Sequence, residues 1–219
     1  MEGTVSSTST VHHCVGVLLA AGEGLRYRAA RRALRDAAHK LLAPLPDGRP
    51  VAQASASTLL AALPDTIAVV ADRPPELPAL LSRLGCSILQ APPAPRGMGV
   101  SLAAAARHLL ARPAPAGQLP GCAVALADMP WVRPETLRLV LRHAARDRIV
   151  VPLCQGRRGH PVVFGGDYLP ELAELDGDTG ARGLLQRHGA LEVECDDTGV
   201  LYDVDVPTDL TTSTGTPSR

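Results

Sequence analysis

The chain has 219 residues, enough for one large α/β domain, and its 22 Lys and Arg balance its 22 Asp and Glu. A formal charge of zero removes any general electrostatic hold on nucleic acid or on an anionic membrane, so an anion site has to be local. Aromatic residues make up 2% of the chain, which calls for an aliphatic core and leaves few rings to stack on a base.

Residues 1–13 and 211–219 are small and polar, and are expected to be disordered tails on a single domain spanning 14–210. The start lacks the basic and apolar regions of a signal peptide, and no apolar run reaches about 18 residues, so a cytoplasmic chain without a membrane span is expected. Cys14, Cys86, Cys122, Cys154 and Cys195 are scattered, odd in number and free of Cys-x-x-Cys spacing. They read as small buried side chains, not as a zinc site or a disulfide framework.

The first element is an apolar strand from Val15 that runs into Ala20-Ala21-Gly22-Glu23-Gly24-Leu25-Arg26. Small residues at the carboxyl end of a buried strand let backbone N–H groups approach an anion, so this loop reads as a phosphate cradle. Lys40 is the only lysine in the chain, and a mobile ammonium suits phosphate oxygens. Tyr27 stands where a dinucleotide fingerprint needs its third glycine, and no Gly-Lys-Ser or Gly-Lys-Thr occurs, so two better-known phosphate loops are excluded.

Helix is expected over Pro50–Leu63, strand over Ile67–Ala71, helix over Glu76–Leu84 and strand over Cys86–Gln90. Helix over Val100–Leu110, strand over Cys122–Ala127, helix over Pro134–Arg146 and strand over Ile149–Pro152 follow. Residues 112–120 read as a loop. Strand and helix alternating at this spacing predict a mostly parallel, mixed sheet with helices on both faces, and ligands at the carboxyl ends of its strands. The last third is less regular: strand at Pro161–Phe164, helix at Thr179–Arg187, strand at Leu191–Cys195, then an extended Tyr202–Val206 leading to a helix start at Pro207.

Several residues along the chain can carry chemistry. Asp128, at the end of an apolar strand, suits a magnesium ion shared with substrate phosphates, or caps the helix that follows. Asp203 and Asp205 share a face of an extended segment; one could be a second magnesium ligand, while Asp209 helps start a helix, and a solvated acidic turn is the bland alternative. Gly97-Met98-Gly99 allows close backbone approach before a helix, and Ser101 caps that helix or touches a ligand. His160 has no ligand-spaced His or Cys neighbour, so it reads as a hydrogen-bonding or turn residue rather than a metal ligand. No Gly-x-Ser-x-Gly nucleophile elbow is present.

In order, Leu-Ala-Ala-Gly-x-Gly-x-Arg with its downstream lysine, Gly-Met-Gly-x-Ser-Leu, Leu126-Ala127-Asp128-Met129-Pro130, Arg158-Gly159-His160-Pro161-Val162, Gly177-Asp178-x-Gly180-Ala181-Arg182 and Asp203-x-Asp205-x-Pro207-x-Asp209 resemble the molybdenum cofactor cytidylyltransferases. The resemblance covers Val15 to Leu210. It implies the Rossmann-like nucleotide-diphospho-sugar transferase fold and Mg²⁺-dependent transfer of a nucleotidyl group, CMP from CTP or GMP from GTP, to molybdopterin, with pyrophosphate released.

By the same resemblance Arg26, Lys40 and Asp128 are catalytic, and Asp128 and Asp205 bind Mg²⁺. Ala20, Ala21, Gly22, Gly24, Arg26, Lys40, Gly97, Met98, Gly99 and Ser101 meet the nucleotide. Arg158, Gly159, His160, Pro161, Asp178 and Arg182 lie toward the acceptor. A molybdoenzyme is a further implied partner. Three departures stand out: Lys40 follows Arg26 at a distance that leaves Arg31–His39 as an insertion, Val206 replaces a threonine, and Gln90-Ala91 stands where base-contacting polar residues are usual. Two rival readings are an NAD(P)H-dependent oxidoreductase of the nicotine-blue type and a non-catalytic carrier of the molybdenum cofactor.

Overall fold

Apolar side chains alternate along the first strand: Val15 and Val17 enter one core layer, while Cys14, Leu18 and Ala20 enter another on the opposite face. A strand buried on both faces needs helices above and below it, and that is the architecture found. The computed structural model describes residues 13–22, 24, 27, 29–30, 39–72, 74–92, 97–113 and 119–211. The expected tails beyond 13 and 211, Arg26 and nearly all of the Arg31–His39 insertion lie outside these residues.

The strands are β1 (Cys14–Ala20), β2 (Thr66–Val70), β3 (Ser87–Gln90), β4 (Gly121–Leu126), β5 (Ile149–Cys154), β6 (Arg157–Arg158), β7 (Val162–Phe164) and β8 (Leu191–Glu194). They form one sheet in the order β3-β2-β1-β4-β7-β5-β6, with β8 also paired to β5. Strands β3, β2, β1 and β4 are parallel, β7 is antiparallel to both β4 and β5, and β8 is parallel to β5. This is the mixed α/β sheet expected.

Helices α1 (Val51–Leu60), α2 (Glu76–Leu84) and α4 (Pro134–Leu141) cover one face, with Leu59, Leu77, Leu81 and Leu137 in its core. Helices α3 (Met98–Leu110), α5 (Leu169–Ala173) and α6 (Arg182–His188) cover the other, with Leu102, Leu109, Leu172 and Leu184. Four of the cysteines are buried and free, and Cys195 is half-buried. Burial pushes the Cys14 and Cys86 thiols up to about 11, so both stay protonated at neutral pH.

Three expectations need correction. Helix α4 stops at Leu141, not Arg146, because the carbonyls of Arg146 and Arg148 accept from Asp167 N and Gly165 N at 3.1 and 2.8 Å. Helix α6 starts at Arg182, not Thr179, since Gly180 is left-handed at φ +55°. The short α5 and β6 were not anticipated, being too brief to show a period.

Chain direction reverses beside β1: the chain steps outward to β2 and β3, then returns to place β4 on the other side of β1. At such a switch point the loops that leave the two neighbouring strands part and open a crevice at their carboxyl ends. Ala21–Gly22 and Asp128 lie in those two loops.

Candidate active site

Each wall of the crevice is held by a named contact. Ala127 N donates to Leu19 O at 3.0 Å, which extends the β1–β4 pairing past the strand end and sets Asp128 at the rim. Ser55 Oγ, on α1, donates to Ala127 O at 2.9 Å and fixes the same point from below. Val204 N then donates to Asp128 O at 2.8 Å. Because Val204 is fully buried, the acids on either side of it turn away from the core, and Asp205 faces Asp128. Asp209 Oδ2 accepts from both Asp205 N and Val206 N at 2.8 Å, which holds that turn.

Lys40 meets these acids from a 3₁₀ turn, Lys40–Leu42, whose Leu41 N–H donates to His39 Nδ1 at 3.3 Å. Its ammonium donates to Asp128 Oδ2 at 2.6 Å and lies 3.7 Å from Asp205 Oδ1. Lys40 is 7% exposed, a depth at which lysine needs a carboxylate partner. Gly24, at φ +59°, presses on the lysine stem: a Cβ there would sit 3.2 Å from Lys40 Cγ.

A cavity of about 550 Å³ opens over this triad, a size that suits a nucleotide-scale ligand. Ala20, Ala21, Gly22, Gly24, Lys40, Gly97, Met98, Ser101, Asp128, Asp178 and Asp205 all line it. Leu19, Tyr27, Leu41 and Leu126 line it as well; Leu19 and Leu126 fall inside the motifs without having been assigned to the site, and Leu41 carried no signal in the sequence. Tyr27 is fully buried, so a ring fills the position that a dinucleotide loop would give to glycine.

Gly97 and Gly99 abut the 176–178 loop: a Cβ on Gly97 would sit 2.3 Å from Gly177 O, and one on Gly99 2.6 Å from Asp176 O. Gly99 N donates to Gly177 O at 2.9 Å, so this loop rests on the first turn of α3 and carries Asp178 to the cavity. Ser101 Oγ donates back to Gly97 O at 3.2 Å. Gly99, Arg158, Gly159, His160, Pro161 and Arg182 are not among the cavity-lining residues. Arg158 pairs with Glu192 at 2.7 Å, Gly159 packs against Val200, and Arg182 is exposed. Buried Nδ1 of His160 has no hydrogen-bond partner, and burial lowers this imidazole's pKa against smaller opposing effects of the Val124 backbone and Asp128.

Partial desolvation, ahead of the nearby charges of Asp128 and Asp205, pushes the carboxyl of Asp203 above the usual carboxylate range. Among the described residues no cluster of three or more His, Cys, Asp or Glu side chains could hold a metal ion. Asp128 and Asp205 nevertheless face one common cation, the ammonium. Two hard oxygen donors suit a divalent cation that takes its remaining ligands from water and phosphate.

The mixed sheet and its helices form the nucleotide-diphospho-sugar transferase fold. The chain belongs to the MobA-like NTP transferase domain family, whose model matches residues 16–193. Rv0371c from Mycobacterium tuberculosis H37Rv is 28% identical, with a TM-score of 0.70 over 90% of this chain and 95% of that one. A complex of Rv0371c with manganese matches at 25% identity and TM-score 0.64, over 92% and 94% of the two chains. A nucleotidyl transferase from Methanothermobacter thermautotroptrophicus, Mth528, shares the fold at 24% identity and TM-score 0.73, over 90% and 94%. So does 4-diphosphocytidyl-2C-methyl-D-erythritol synthase from Anaerococcus prevotii, at 11% identity and TM-score 0.65, over 91% and 93%. No curated protein sequence matches the chain. Among the described residues no helix is long and apolar enough to cross a membrane.

Proposed function

We propose that this nucleotidyltransferase transfers CMP from CTP to the phosphate of molybdopterin, with Mg²⁺ held by Asp128 and Asp205. The observation that carries the reading is the convergence of Lys40, Asp128 and Asp205 at the carboxyl ends of β1 and β4, beside the Ala20–Gly22 loop. Two carboxylates and one ammonium are the groups a metal-bound triphosphate requires. The six family motifs, in order, support molybdopterin as acceptor and CTP as donor, and a molybdoenzyme as the destination of the product.

An acceptor phosphate oxygen attacks the α-phosphorus in line. The new P–O bond forms as the bond to the β-phosphate oxygen breaks, and pyrophosphate leaves with the electron pair. No protein nucleophile is needed, so catalysis rests on positioning and charge neutralisation. Lys40 neutralises phosphate oxygens, and Gly22 and Gly24 leave room for the phosphates to lie against the backbone. Bound Mg²⁺ supplies further charge neutralisation at the phosphates. Met98, 43% exposed at the cavity edge, would meet the nucleotide, and the carboxylate of Asp178 would lie toward the acceptor.

Thermal unfolding with Mg²⁺ and CTP, GTP, ATP, UTP or NADPH in turn tests this, since a ligand that binds only the native state raises the midpoint. CTP is expected to give the largest rise, and Asp128→Ala to abolish it. A rise with NADPH and with no triphosphate would replace this reading by the oxidoreductase.

A further inference from the structure

Lys40 occupies the place where Asp128 and Asp205 could share a metal ion: its ammonium is 2.6 Å from one carboxylate and 3.7 Å from the other. Among the described residues it is the only cationic side chain that lines the cavity, against the carboxylates of Asp128, Asp178 and Asp205. The charges therefore work against each ligand alone. A bare divalent cation has to displace or approach an ammonium already bound to its ligands. A bare triphosphate has to enter a cavity whose described lining carries more negative than positive side chains.

We infer that Lys40 is a displaceable counter-ion that couples metal and nucleotide binding: the ammonium leaves the two carboxylates when a divalent cation arrives with a polyphosphate, which gives it a new anionic partner. The inference rests on the proposed metal-binding role of Asp128 and Asp205 and adds the order of events. Gly24 packs along the lysine stem as far as Cδ, so the ammonium can swing about the Cδ–Cε bond beyond that contact. Coupling of this kind is reciprocal, so the triphosphate tightens the cation as much as the cation tightens the triphosphate.

Two measurements test it. The first is binding of Mn²⁺ alone, read from the electron paramagnetic resonance of the free ion, to the wild type and to Lys40→Met, which removes the charge and keeps most of the stem. The variant is expected to bind Mn²⁺ about 10-fold more tightly, within the usual span of coupling effects. Affinity equal to or below that of the wild type overturns the inference. The second uses the single lysine of the chain: labelling with ¹³Cε-lysine gives one side-chain methylene resonance, readable in the wild type even if the variant fails to fold. It is expected to shift on saturation with Mg²⁺ and CTP, and an unmoved resonance in a protein that Mg²⁺ and CTP stabilise overturns the inference while sparing the nucleotidyltransferase reading. If Asp128→Asn leaves Mn²⁺ affinity unchanged in the Lys40→Met background, the metal-site reading itself falls.

Discussion

At the scale of single residues, burial has opposite consequences for Lys40 and His160. The lysine is buried against two carboxylates, so its charge is compensated. The imidazole of His160 is packed with one nitrogen unpartnered, and desolvation disfavours its charged form. Its folded pKa lies below the unfolded value of about 6.5, so both states are neutral well above that pH and this group imposes no penalty there. As pH falls through 6.5 the unfolded chain takes up a proton that the folded chain resists, and stability declines. His160→Gln is therefore expected to flatten the fall in unfolding midpoint between pH 7 and pH 5, measured by scanning calorimetry on both proteins. Identical slopes would remove His160 as a source of acid sensitivity.

Among elements, the contacts of α3 with residues 176–178 and of the loop after β4 with residues 202–206 set the shape of the crevice. Gly97→Ala places a methyl 2.3 Å from Gly177 O and 2.6 Å from Asp178 Oδ1, so one loop has to move. A loss of about 1–3 kcal/mol is expected in urea unfolding, as for other overpacked positions. Asp209→Ala leaves two backbone donors without their carboxylate. A loss of about 1–3 kcal/mol is expected there too, together with weaker Mn²⁺ binding because Asp205 is no longer held. Mn²⁺ affinity unaltered by this substitution would show that Asp205 is positioned by other contacts.

These elements were unevenly legible. Strands β1, β4 and β5 and helices α2 and α3 could be read from apolar runs and periodicity, since burial on both faces or on one stripe leaves a pattern. The ends of α4 and α6 could not, because a contact with Gly165 and Asp167 and the left-handed Gly180 decide them. Glycine motifs were visible, but not their partners: Gly97 and Gly99 lie against residues about 80 positions away. The pairing of Lys40 with Asp128, separated by 88 positions, was equally hidden. Each residue was recognisable by type, and only the crossing of β4 beside β1 brings them together. The buried Asp197, which accepts from Arg133 N, Thr136 Oγ1 and Gly199 N and so ties α4 to the 3₁₀ turn Thr198–Leu201, gave no signal at all.

Over the whole molecule, stability and function are separated in space. Two aliphatic layers on either side of the sheet carry most of the hydrophobic burial. Exposed ion pairs such as Arg112–Asp65 and Arg146–Asp167 contribute at most about 1 kcal/mol each. At the switch point between β1 and β4 the strand order opens the sheet, and among the described residues lining that crevice three carboxylates accompany one lysine. Nucleotidyl transfer in this crevice is tested most directly by pyrophosphate release from CTP, GTP, ATP and UTP in the presence of Mg²⁺ and molybdopterin, with the wild type and Asp128→Asn side by side. Release from CTP that requires the acceptor and falls about 10²–10³-fold in the variant is predicted, a loss typical of removing one electrostatic contact to a transition state. No release from any of the four nucleotides, or release undiminished in Asp128→Asn, would contradict the account.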